Sequence, residues 1–132
     1  MKHLPNLLIN IIPHNEQVYD TPGNYTKGLG DDWYFDISET EADYEFLVLI
    51  HELIEWHLTQ KRGITEKSIT DFDILFELNR KNGNTDEPGN SPLAPYRKEH
   101  KFATKIERLV AKELKVNWSK YDKKLNNLNY ND

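Results

Sequence analysis

Residues 46–57 read Phe46-Leu47-Val48-Leu49-Ile50-His51-Glu52-Leu53-Ile54-Glu55-Trp56-His57. An apolar run passes without a break into a segment that holds histidines and glutamates. The pattern predicts one helix, apolar nearly all round and therefore covered on most sides. A covered helix carries His and Glu only where they find partners, because an unpaired charge out of water is expensive. His51 and Glu55 are four residues apart and share a face, so they can hold one cation together. Phe46, Ile50, Leu53 and His57 form an expected core stripe on another face, with His57 read as a core or interface residue.

Working outward, Thr40 opens this helix with Glu41 and Asp43 in its first turn, where the helix dipole favours them. The helix is expected to run to about Lys61 and to stop at Gly63. Thr65 caps a second helix to about Leu78 or Arg80. A third is expected from Leu93 or Ala94 to Leu114, with Pro95 in its first turn. The polar stretch 81–92 between them reads as an exposed loop. Towards the start of the chain, Leu7–Ile12 is an Ile-rich strand ending at Pro13, and Trp33–Ile37 alternates with period two. Thr21–Asn24 and Lys27–Gly30 read as turns. The expected architecture is a single α+β domain. A small N-terminal antiparallel sheet (1–38) packs on a bundle of three main helices (40–122). Trp118 and Tyr121 dock a last short turn or helix, and residues 123–132 fray.

Composition narrows the chemistry. The absence of cysteine excludes a disulfide framework, a thiol nucleophile and Cys-ligated zinc, so any metal must use His and carboxylates. A net charge of −5 gives no general drive towards nucleic acid or anionic membrane. The basic residues between Arg97 and Lys124 read as a solvated helix face. No signal peptide or membrane span is expected, which points to a soluble cytoplasmic protein.

Two further helices offer polar residues at the margin of an apolar arc. On the second, Ile69, Phe72 and Phe76 form a stripe bordered by Asp73, while Ile74 and Leu78 form another. Enclosed between them, Asp73 asks for a partner. On the third, the arc from Leu109 and Phe102 through Ile106 to Val110, Ala103, Tyr96 and Leu114 has His100 and Glu107 at its edge. The expected metal ligands are therefore His51, Glu55, Asp73 and His100. Each also has a bland reading: a hydrogen-bonded core histidine, or, for Asp73, an ion pair with Arg97 or Lys101. Glu77, Glu99 and Glu107 are lesser candidate ligands, and a supporting role around the ligands suits them as well. His14, after Pro13 at a strand end, is a weaker candidate, and His3 is uninformative.

Several segments together resemble an uncharacterised family of small phage and prophage proteins. They are Ile12-Pro13-His14 with Glu16-Gln17 and Tyr19; Tyr44–Leu47 leading into His51–Glu55; Lys61–Ile64; Asp71-Phe72-Asp73; and Ala94–His100 leading to Ala103 and Ile106-Glu107. The resemblance supports the candidate residues as a unit and implies no reaction. A shorter likeness, five residues long, is to the H-E-x-x-H helix of zinc hydrolases, with Glu55 in place of the second His. The extra carboxylate makes the site harder and more anionic. Zinc is the first expectation, with manganese, iron or magnesium compatible.

If three of these residues hold a cation, a fourth position stays open for water, and Glu52 is the general base by its place in the motif. The expectation is then a metal-dependent hydrolase of an amide or phosphoester acting on a small substrate. The competing expectation is a non-catalytic protein whose metal or polar cluster ties the helices together. It would bind a protein partner through Trp118, Tyr121 or the 81–92 loop. A nucleic-acid role through Lys98–Lys124 is disfavoured by the net charge.

Overall fold

The computed structural model describes residues 2–80, 84 and 86–130. Three strands, β1 (Asn6–Ile12), β2 (Gly23–Lys27) and β3 (Asp32–Ser38), precede four helices. The helices are α1 (Ala42–Lys61), α2 (Glu66–Leu78), α3 (Arg97–Glu113) and α4 (Trp118–Asn126). The α+β expectation holds at this level. No helix among the described residues is long and apolar enough to cross a membrane.

The sheet is mixed, not antiparallel. Its order is β1-β3-β2, with β2 antiparallel and β1 parallel to the central β3. β2 and β3 form a hairpin whose turn places Gly30 at φ +59°, a conformation that favours glycine. β1 reaches the other edge of β3 because residues 13–22 form a crossover. The crossover is fastened over the end of β3. His14 Nδ1 lies 2.8 Å from Ser38 Oγ, and Gln17 Nε2 donates to the Asp36 carbonyl at 2.9 Å. β2 also occupies residues read as flanking turns.

Trp33, Phe35 and Ile37 project from one face of β3 and are buried, as their alternation predicts. One part of the core joins Trp33, Phe35 and Tyr25 to Trp56 of α1, Ile69 of α2 and Tyr96. A second joins Ile37 to Leu47 and Val48 of α1, Ala111 of α3 and Tyr121 of α4. α1 thus lies between the sheet and α3. Its start at Ala42 follows Thr40, whose N–H donates to Glu45 Oε2 at 2.8 Å. Its end is marked by Gly63 at φ +70°. Thr65 caps α2 by accepting from the Ser68 N–H, as expected.

Several expected faces are turned. On α1 the buried side is Leu47, Val48, His51, Glu55, Trp56 and Thr59, while Phe46 and His57 are exposed. On α2, Ile74 and Leu78 face solvent, so the helix is covered on one side only. α3 starts at Arg97, after Pro95, and its buried stripe is Glu99, His100, Ala103, Glu107 and Ala111. Phe102 and Leu109, placed within the expected arc, are exposed. The stripe follows hydrogen bonding: the acids and the histidine on α3 find their partners on and around α1. Within the loop expected to be exposed, Pro88 and Gly89 are buried; residues 81–83 and 85 lie outside the described residues. The expected frayed tail is also partly ordered. α4 continues to Asn126, and the Tyr130 hydroxyl reaches the Gln17 and Val18 carbonyls at 2.8 and 3.0 Å.

Candidate metal centre

α1 and α3 meet at His51, Glu55 and His100, all buried. His51 Nε2 lies 3.1 Å from Glu55 Oε2 and 3.1 Å from His100 Nδ1, and His100 Nδ1 lies 2.8 Å from Glu55 Oε2. Three donor atoms therefore form a near-equilateral triangle. A point about 1 Å off the plane of this triangle is about 2.0 Å from every corner, the length of a zinc–nitrogen or zinc–oxygen bond. The group can hold a metal ion.

The surrounding contacts orient these donors. The second nitrogen of His51, Nδ1, donates to Glu107 Oε1 at 2.8 Å, and Glu107 Oε2 accepts from the Tyr121 hydroxyl at 2.6 Å. Glu55 accepts from the Tyr25 hydroxyl through Oε1 at 2.9 Å, leaving Oε2 for the triangle. Glu87 Oε2 lies 3.0 Å from His100 Nε2, off hydrogen-bond alignment. Each imidazole thus turns one nitrogen to the triangle and has a carboxylate beside the other. A hydrogen bond to such a carboxylate, which His51 makes, fixes the tautomer and ring orientation of metal-binding histidines. Gly89 seats against the His100 ring: a Cβ there would fall 2.4 Å from His100 Cγ.

Without a cation, protons hold the cluster together. Burial would lower the pKa of His51, but hydrogen bonds to Glu107 and Glu55 raise it well above the usual imidazole range. For His100 burial acts in the same direction, and the carboxylates of Glu55 and Glu87 overcome it, to about 9. Burial would raise Glu55, but its contacts with His100 and His51 hold it down to about 2. Glu52 lines the same pocket with no imidazole bonded to it. Burial and the charge of Glu55 push it up to about 8. The approach of β2 encloses it, since a Cβ on Gly23 would meet Val48 Cγ1 at 2.6 Å and Glu52 Cγ at 2.8 Å.

Of the four expected ligands, the structure brings together His51, Glu55 and His100. Asp73 lines the pocket, but its Oδ1 accepts from the Tyr96 hydroxyl at 2.5 Å and the residue stands outside the triangle. Neither alternative partner, Arg97 or Lys101, bonds it among the described residues. Glu107 lies outside the triangle and bonds His51 from behind. Glu99 instead pairs with Arg62 and Glu77 with Arg80. His14 lies between Ser38 and Asp20, at 2.8 Å from each. Ser38 is only 2% exposed, so this Ser-His-Asp trio fastens the crossover and offers no nucleophile to a substrate. Sequence reasoning missed Tyr25, Tyr96 and Glu87. They lie on a strand, before a helix and in a polar loop, where no periodicity points to a common centre.

The pocket above the triangle has a volume of about 90 Å³ and is walled by Tyr19, Pro22, Val48, Glu52, Asp73 and Pro88 among others. Comparison of the chain with protein-family models, curated proteins and solved structures found no match.

Proposed function

We propose that this chain is a small metal-dependent hydrolase in which His51, Glu55 and His100 hold one divalent cation, zinc first. The observation that carries the reading is that the three donor atoms converge at the wall of a pocket, each pair within 3.1 Å. Three protein donors and an accessible side match an open zinc site, whereas structural sites are closed by four. Bound there, the cation would lower the pKa of a coordinated water towards about 7. Glu52 is the proton acceptor: it lines the pocket and carries no ion pair among the described residues. Burial makes its carboxylate a stronger base than a solvated one, and a nearby positive charge favours its ionised form. Glu107, Tyr25 and Tyr121 hold the donors in place through hydrogen bonds. The resemblance to phage proteins is compatible with this reading and adds no chemistry to it.

The test is a screen of the zinc-loaded protein against amide and phosphoester substrates, beside Glu52→Gln. The expected result is an activity that Glu52→Gln lowers by about 10²–10⁴-fold with zinc content unchanged. A zinc-bound protein in which neither substrate class turns over favours the non-catalytic reading.

A further inference from the structure

The pocket carries a one-sided set of charges. Glu52, Glu55, Glu66, Asp73, Glu87 and Glu107 line it, and no Lys or Arg among the described residues does. Most of these acids are accounted for. Glu55 belongs to the triangle, and Glu107 and Glu87 lie beside the outer nitrogens of the histidines. Glu66 Oε2 accepts the Lys27 N–H. Glu52 is the proposed base. Asp73 remains. Its one hydrogen bond among the described residues comes from a neutral hydroxyl, Tyr96, through Oδ1. Oδ2 accepts nothing among them. The residue is half-buried, with the charges of Glu55 and Glu77 on one side of its balance and that of His100 on the other. A half-buried carboxylate with one oxygen open at the pocket wall can receive a cation.

That cation is not a second metal, because the only group of converging donors among the described residues is His51, Glu55 and His100. An ammonium group fits better. It brings three N–H donors, and Asp73 and the Tyr96 oxygen are acceptors. Tyr19 and Tyr96, which line the same pocket, add aromatic rings that attract a cation. A negatively charged group at that end of the substrate would be repelled by Asp73.

Resting on the hydrolase reading above, we infer that the substrate carries an ammonium group received by Asp73 and Tyr96. The scissile amide of an amine-bearing compound such as a short peptide meets this requirement, and Asp73 is a specificity-determining residue rather than a ligand.

The experiment measures binding of three hydroxamic acids to the zinc-loaded full chain by calorimetry. They are hexanohydroxamic acid, its 6-amino derivative and the hydroxamic acid with a terminal carboxylate, each with shorter homologues. All offer the same zinc-binding group and differ in the charge at the far end. At the best chain length the ammonium compound should bind about tenfold or more tightly than the neutral one, with the carboxylate weakest. Asp73→Asn should erase that advantage while leaving zinc content and the neutral compound's affinity unchanged. Equal binding of the three by the native protein, or preference for the carboxylate, overturns the inference even if Asp73→Asn does not fold. Loss of zinc in Asp73→Asn also overturns it, since Asp73 would then be a ligand. Failure of all three compounds to bind defeats the metal reading, and this inference with it.

Discussion

Removing the metal should make the protein's stability fall as pH rises from 6.5 to 9. In the metal-free cluster His100 is raised from 6.5 to about 9 by carboxylates that outweigh its burial. A group whose pKa is higher in the folded state contributes fully below its unfolded pKa and loses that contribution as pH rises through the folded value. A pKa difference of one between the folded and unfolded states corresponds to about 1.4 kcal/mol, so His100 contributes about 3 kcal/mol at pH 6 that is gone above pH 9. The depressed Glu55, at about 2, reports the same contact from its other side and is counted once. Its own window lies at low pH: that contribution is present above 4.5 and is lost towards 2. Glu52 and Asp73, raised to about 8 and about 7, act in the same direction as His100, because ionising them in place costs stability. The assay is thermal unfolding in a chelator at a series of pH values. For a chain of this size 3 kcal/mol corresponds to a fall in Tm of about 10 °C. Zinc should abolish or reverse the trend, because metal binding displaces these protons and tightens as pH rises. A metal-free Tm that is level or rising between pH 6.5 and 9 would refute the reasoning.

Two substitutions probe the parts that orient the donors. Glu107→Gln keeps a hydrogen-bond acceptor for His51 but removes the charge beside it. Zinc affinity, read by competition with a chromophoric chelator, should weaken by about 10–100-fold while the fold is retained; a change within about twofold would mean that Glu107 does not tune the site. Gly89→Ala drives a methyl group into the His100 ring, so that the ring or the 88–90 turn must move. Zinc content and Tm should both drop, and an unaltered zinc affinity would show that the turn gives way instead.

What was legible in the sequence was local. His51 and Glu55 share a helical turn, so their convergence follows from spacing alone. His100 followed from the same chemistry on a second helix. The Trp33–Ile37 alternation, the Thr65 cap and the stop at Gly63 are likewise short-range signals. What was not legible depended on contacts distant in sequence. Asp73 asked for a partner and found a tyrosine hydroxyl at Tyr96, a choice no periodicity encodes. The parallel pairing of β1 goes with a crossover over residues 13–22 that His14 and Gln17 fasten to the end of β3, contacts that no local pattern encodes. The buried faces of α1 and α3 depart from the hydrophobic pattern for one reason. Hydrophobicity placed Phe46, Phe102 and Leu109 inside, yet the buried seam between these helices is polar, because His51, Glu55, His100 and Glu107 satisfy one another there.

The most direct test of the metal centre is elemental analysis of untagged protein beside His51→Ala/His100→Ala, with the fold of each checked by circular dichroism. About one equivalent of zinc or another divalent metal in the native protein, absent from a folded double variant, is the expected result. Native protein that takes up no metal even when supplied with it, or a double variant that binds as much, would contradict the account and leave the cluster as a proton-linked network joining α1 to α3.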